Sequence, residues 1–266
     1  MTTSIIERRR IGFFDSGMGG LTVLHLAQQA YPEAEYIYYA DVDNVPYGKK
    51  SKKTIKKLVF KAVQFLVDQN IDILVVACNT ATSVCIKKLR QRYDLPIIGM
   101  EPAVKPAVQL LKRPQHRILV CATRLTLKEK KLKDLITNLE ASDKTDLLSL
   151  QKLVAFAEVQ NFDSKKVSKY LHKKFKDNDL RGYTAVVLGC THFIYYRELI
   201  KEILPKDIEI IDGNAGTVAR LLFFLEQFPQ ADDQSRPSKI KVYFSGRKQK
   251  SKVLKPFLKF LNQQER

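Results

Sequence analysis

Two short apolar runs in this chain each end in a cysteine followed by small polar residues. The first, over 73–80, ends in Cys78, Asn79 and Thr80; the second, over 185–192, ends in Gly189, Cys190, Thr191 and His192. Each is strand-sized, and each is followed by a helix pattern. Further apolar runs at 11–14, 36–39 and 97–98 alternate with helix patterns that begin at Leu21, cover 52–69 and end near Tyr93. In the second half, runs at 117–121 and 208–211 flank helix patterns over 126–139 and 165–176 and one ending near Leu204. Short apolar strands alternating with helices predict a parallel sheet covered on both faces. The segment 11–16 also resembles 118–123, and the interval from Asp15 to Cys78 nearly matches that from Thr123 to Cys190. The expected fold is therefore α/β, with two similar parallel-sheet units related by pseudo-symmetry. The chain first crosses between them at Gly99-Met100-Glu101-Pro102. A length of 266 residues suits one large domain or two small ones.

No apolar run approaches the roughly 20 residues a membrane helix needs. The arginines at 8–10 are not followed by a signal-peptide core, because Asp15 and a glycine cluster interrupt the apolar stretch. A cytoplasmic location without membrane attachment is expected. The four cysteines, 78, 85, 121 and 190, contain no Cys-x-x-Cys pair and read as free thiols. The formal charge is +18. Lysines 49, 50, 52, 53, 56, 57 and 61 form one basic cluster, lysines 128, 130, 131 and 133 a second, and 247–255 a third. They decorate predicted helices whose apolar faces point inward. Non-specific attraction to polyanions at low salt follows. Specific nucleic-acid binding is not expected, because aromatic interleaving and recognised binding motifs are absent.

Ligands of open α/β sheets bind outside the carboxyl ends of the strands. A cysteine there lies near the free N–H groups of the next helix, whose partial positive charge favours the thiolate. A buried structural cysteine is the commoner case for any single residue. The matched contexts of Cys78 and Cys190 favour a functional pair, whereas Cys85, inside a helix, and Cys121, inside a strand, are assigned to packing. Two thiols facing across a cleft suit inversion of a stereocentre, one removing a proton from carbon while the other delivers one to the opposite face. The turn Asp15-Ser16-Gly17-Met18-Gly19-Gly20 leads into a helix whose N-terminus suits a carboxylate or phosphate. It is neither a dinucleotide fingerprint nor a P-loop. Pro46-Tyr47-Gly48-Lys49 reads as a loop. Cys190 and His192 fit a thiol hydrolase as well as a proton-transfer site. No Cys/His set has metal-ligand spacing, and His25, His116 and His172 lack clustered partners.

Taken together, several stretches resemble the cofactor-independent glutamate racemases of the aspartate/glutamate racemase superfamily. They are 14–21, 45–51, 77–81, 99–102 and 188–192, in that order. The resemblance implies no cofactor, glutamate as substrate, D-glutamate for peptidoglycan as product, and an active site in the cleft between two domains. These would be 1–101 plus 211–266 on the Cys78 side and 102–210 on the Cys190 side. Catalytic thiols would fall on Cys78 and Cys190, with Asp15, Glu158 and His192 assisting. Substrate contacts would fall on Asp15, Ser16, Tyr47, Gly48, Asn79, Thr80, Thr191 and His192. The chain departs from the family pattern at Ala40, at Arg124, at Ile194 and around Glu158, where flanking Pro and Gly are missing. Another amino-acid racemase, acting on aspartate or a similar acid, and a non-catalytic basic binding protein stay open. So does a homodimer.

Overall fold

The computed structural model describes residues 8–229 and 239–264. Its strands are β1 (Arg10–Asp15), β2 (Glu35–Ala40), β3 (Ile73–Val76), β4 (Ile97–Gly99), β5 (Arg117–Ala122), β6 (Thr145–Ser149), β7 (Tyr183–Gly189), β8 (Glu209–Asp212), β9 (Lys239–Phe244) and β10 (Arg247–Gln249). Two sheets result, ordered β10-β9-β2-β1-β3-β4 and β6-β5-β7-β8. The second repeats the β2-β1-β3-β4 order of the first, so the internal resemblance in the sequence is a resemblance of topology. All pairs are parallel except β9 with β10. The chain passes from β4 to β5 of the second sheet by way of the helix Val104–Gln109.

The central strands are buried along almost their whole length, as strands covered on both faces must be. Alternation along β1 divides the core: Ile11 and Phe13 join a cluster shared with Leu119, Leu188 and Phe193 of the second half, while Phe14 packs with Ile55, Val59 and Leu66 on the other face. A third cluster, with Val104, Ile118, Val120 and Val187, covers the outer face of the second sheet. The shared cluster fastens the two sheets together.

Three of the described α-helices start at side-chain caps. Ser51 accepts the Thr54 N–H, Thr123 the Thr126 N–H and Ser164 the Val167 N–H. The helix expected over 126–139 is two helices, Arg124–Lys128 and Lys130–Asn138. They break at Glu129, whose backbone is extended and whose carboxylate meets Lys52 Nζ at 2.9 Å. The helix expected after Cys190 begins as a 3₁₀ turn, Thr191–Tyr196, before Arg197–Ile203. The Tyr195 and Tyr196 rings of that turn pack against Phe162, with Tyr195 also against Phe257 and Phe260 of the last helix, Lys255–Gln264.

Candidate active site

Asp15, Cys78, Thr123 and Cys190 stand at or just beyond the carboxyl ends of β1, β3, β5 and β7. Cys78 is the residue before the helix Asn79–Arg92, and Cys190 the residue before the 3₁₀ turn. Both thiols are buried, at 6% and 7% exposure, and both line one cavity. Ser16, Tyr47, Gly48, Asn79, Thr80 and His192 share its wall with Pro46, Thr123 and Val154. The space is about 10 Å³, room for about one water molecule. An amino acid enters only when the walls part.

The two thiols have different surroundings. The Cys78 Sγ–H donates to Ser16 Oγ at 3.5 Å. Burial, reinforced by the nearby Asp15 carboxyl, pushes its pKa well up, past the opposing effects of Ser16 and the Ala81 N–H. The thiolate expected from helix position alone is thereby overruled: Cys78 is held as a thiol. Cys190 Sγ lies 3.8 Å from His192 Nδ1, and His192 Nε2 lies 2.6 Å from Glu158 Oε1. Burial by itself lowers the pKa of His192. Hydrogen bonds to Cys190 and Glu158 outweigh it and hold the imidazole well above its ordinary value, as imidazolium.

The glycine turn serves this arrangement rather than an anion. Two of its N–H groups are occupied within the protein: Met18 N–H donates to Glu158 Oε1 at 2.7 Å, and Gly20 N–H to Asp15 Oδ2 at 2.7 Å. A Cβ at Gly17 would overlap the Glu158 carboxylate, and one at Gly19 the His192 ring and the Thr191 hydroxyl. Close approach of side chains to backbone is what requires glycine here. Burial raises the pKa of Asp15, with His192 partly opposing.

Of the residues expected at the site, Ser16, Tyr47, Gly48, Cys78, Asn79, Thr80, Cys190 and His192 line the cavity. Asp15, Glu158 and Thr191 stand behind the wall that the others line. Three contributors were not foreseen. Asp41 accepts the Tyr47 hydroxyl at 2.7 Å, along with Asn44 Nδ2 and the Ser245 hydroxyl, and so fixes the Tyr47 ring. Thr123 and Thr126 form a triangle of hydroxyls with Thr80, at 2.9–3.1 Å, joining the two halves. The only signal for Thr123 is its place at a matched strand end. Cys85 and Cys121 are buried away from the cavity, as expected from their contexts.

A doubled parallel α/β fold with a thiol at the same strand end of each half is a racemase architecture. The chain belongs to the Asp/Glu/Hydantoin racemase family, whose pattern matches residues 22–221. The glutamate racemase of Lachnospira eligens is 44% identical over 261 residues, covering 96% of this chain and 97% of its own. That of Halothermothrix orenii is 46% identical over 254 residues, covering 96% and 99%. The crystal structure of Escherichia coli glutamate racemase in complex with L-glutamate and the activator UDP-MurNAc-ala is 27% identical, with a TM-score of 0.79 over 97% of this chain and 95% of that one. No helix among the described residues is long and apolar enough to cross a membrane.

Proposed function

We propose that this protein interconverts L- and D-glutamate by proton transfer between two thiols, without a cofactor. One observation carries the reading: Cys78 and Cys190, one from each sheet, line the same cavity. The glutamate racemases that match nearly the whole chain support glutamate as the substrate. Residues 1–101 with 211–266 and residues 102–210 act as two domains that part to admit it. Once the walls part, backbone N–H groups and hydroxyls near Ser16, Asn79, Thr80 and Thr191 hold the α-carboxylate and ammonium, and Tyr47 and Gly48 also contact the substrate.

In the L-to-D direction, Cys190 sulfur takes the Cα proton and the electron pair stays on carbon. Cys78, already a thiol, gives its proton to the other face. The products are D-glutamate, a Cys190 thiol and a Cys78 thiolate, and the reverse reaction exchanges the roles. The His192 imidazolium faces the Cys190 sulfur, and Glu158 keeps it charged and oriented. The closed, dry cavity replaces water with fixed dipoles around the carbanion. The reaction takes place in the cytoplasm, where the D-glutamate serves peptidoglycan synthesis. Sedimentation equilibrium tests the accompanying expectation of a homodimer.

The reading is tested by incubating the reduced protein with L-glutamate and no cofactor, following ellipticity. Decay of the signal to zero is expected. A constant signal from folded protein, with either enantiomer, contradicts it.

A further inference from the structure

Met18 stands between Gly17 and Gly19, and glycine leaves the two peptide groups flanking it freer to rotate than any other residue would. Hydrogen bonds fix both. The Gly17 carbonyl accepts the Tyr38 hydroxyl at 2.7 Å, and the N–H of that same planar peptide, on Met18, donates to Glu158 Oε1 at 2.7 Å. The next carbonyl, that of Met18, accepts the Tyr195 hydroxyl at 2.8 Å. Its peptide leads into Gly19, on which the His192 ring and the Thr191 hydroxyl pack. Tyr38 thus holds the peptide that meets Glu158, and Tyr195 the peptide that runs up to His192.

Tyr38 belongs to β2, and Tyr195 to the 3₁₀ turn Thr191–Tyr196. Side chains three apart eclipse in such a turn, so His192 and Tyr195 leave it on one face, toward the glycines. Both phenols are buried, at 0% and 1% exposure. Burial, reinforced by the Asp15 and Glu158 carboxyls, pushes both well above the ordinary phenol range and keeps them as O–H donors. Tyr195 is itself braced. Its ring lies 4.9 Å from that of Phe162 and 5.9 Å from that of Phe257, and its carbonyl accepts Gln264 Nε2 at 3.1 Å. The last helix therefore stands behind Tyr195 as the first sheet stands behind Tyr38.

Neither tyrosine is in the wall of the thiol cavity. We propose that Tyr38 and Tyr195 are positioning residues for proton transfer at Cys190. By tying consecutive carbonyls of the glycine turn, they aim Met18 N–H at Glu158 and set Gly19 against His192, which fixes the imidazole beside the sulfur. The assignment rests on Cys190 being one of the two proton-transfer thiols.

Tyr38→Phe and Tyr195→Phe keep each ring and remove only its bond to the turn. Each should lower kcat for L-glutamate about tenfold, the worth of one ordinary hydrogen bond, with KM little changed. Each substitution is then repeated in Glu158→Gln. A tyrosine acting through the Glu158–His192 pair should cause little further loss there, whereas one that only supports the fold should cost the same factor in both backgrounds. His192, which faces Cys190, Glu158 and Asp15, should titrate at lower pH by NMR in each single variant, a signature that a smaller folded fraction does not produce. Should one Phe variant fail to fold, the other decides on the same criteria. Unchanged kcat in the folded variants, or equal losses with and without the Glu158 carboxylate, overturns the role of the tyrosines while wild type racemises glutamate. Racemisation by Cys190→Ser at the wild-type rate overturns the two-thiol reading and this role together.

Discussion

Glu158 Oε1 lies 2.6 Å from His192 Nε2, and the same oxygen accepts the Met18 N–H. One carboxylate thus ties the glycine turn of the first half to the imidazole beside Cys190 in the second.

Removing that charge should loosen the hold on the imidazolium and leave the Cys190 contact to oppose burial alone. In Glu158→Gln the His192 pKa falls, because burial is no longer opposed by the carboxylate. His192 is raised above its unfolded value of about 6.5, so its contribution is complete below that pH and is lost as pH rises through the folded value. The wild type should exceed Glu158→Gln in stability most between about pH 5 and 6.5, with the gap narrowing on the alkaline side. Histidine NMR titration and denaturant unfolding across pH measure both effects. A His192 titration at the same pH in both proteins contradicts the assignment.

Cys78 should titrate above the ordinary thiol range, and Asp15→Asn should bring it down by removing the neighbouring carboxyl. Thiolate absorbance against pH, in a background where Cys78 is the sole cysteine, reads this directly. Cys85, a thiol pushed up to about 12 by burial, lies outside the cavity. Cys85→Ala should leave kcat unchanged, and a large loss in a folded variant would show that the residue does more than pack.

Gly17→Ala and Gly19→Ala place a methyl against Glu158 and His192 respectively. Displacement of these groups by about 1 Å should lower kcat roughly a hundredfold. Gly182→Ala, where an added Cβ meets nothing within 4 Å, is the matched control. Equal activity in all three variants would mean that close approach at the turn has no catalytic consequence.

Lys52 follows the Tyr47–Gly48 wall, and Glu129 follows the wall of Thr123 and Thr126, so their ion pair spans the two. Lys52 is 55% exposed, and a pair of this kind adds only about 0–1 kcal/mol to stability. Its larger effect should be on opening. Added salt should speed product release in wild type by screening the pair, and Lys52→Met should lose that dependence. Stopped-flow release at increasing NaCl decides, and identical salt profiles would remove the pair from the opening step.

The thiol loops were legible because their signal is local: an apolar strand, a cysteine, small polar residues and a helix within a dozen positions. The glycine turn was legible for the same reason, although its partners were not. Glu158 emerged only through family resemblance, since its partners Met18 and His192 are far away in sequence. Asp41, Thr126 and Tyr195 carry no local mark, and their roles arise from contacts distant in sequence. The missed β6 is a half-buried edge strand with little apolar signal. Lysines alternate through the start of β9, which joins the first sheet beside β2 only after the chain returns from the second. The break at Glu129 was hidden because an ion pair to another helix, rather than proline or glycine, marks it.

The central claim is that two thiols share one proton transfer. The most direct measurement is racemisation of L-glutamate in D₂O by wild type, Cys78→Ser and Cys190→Ser, following ellipticity and the Cα proton by NMR. Wild type should lose ellipticity and gain deuterium at Cα, while each single variant loses racemisation by orders of magnitude. Racemisation at the wild-type rate by either folded variant would contradict the two-thiol account.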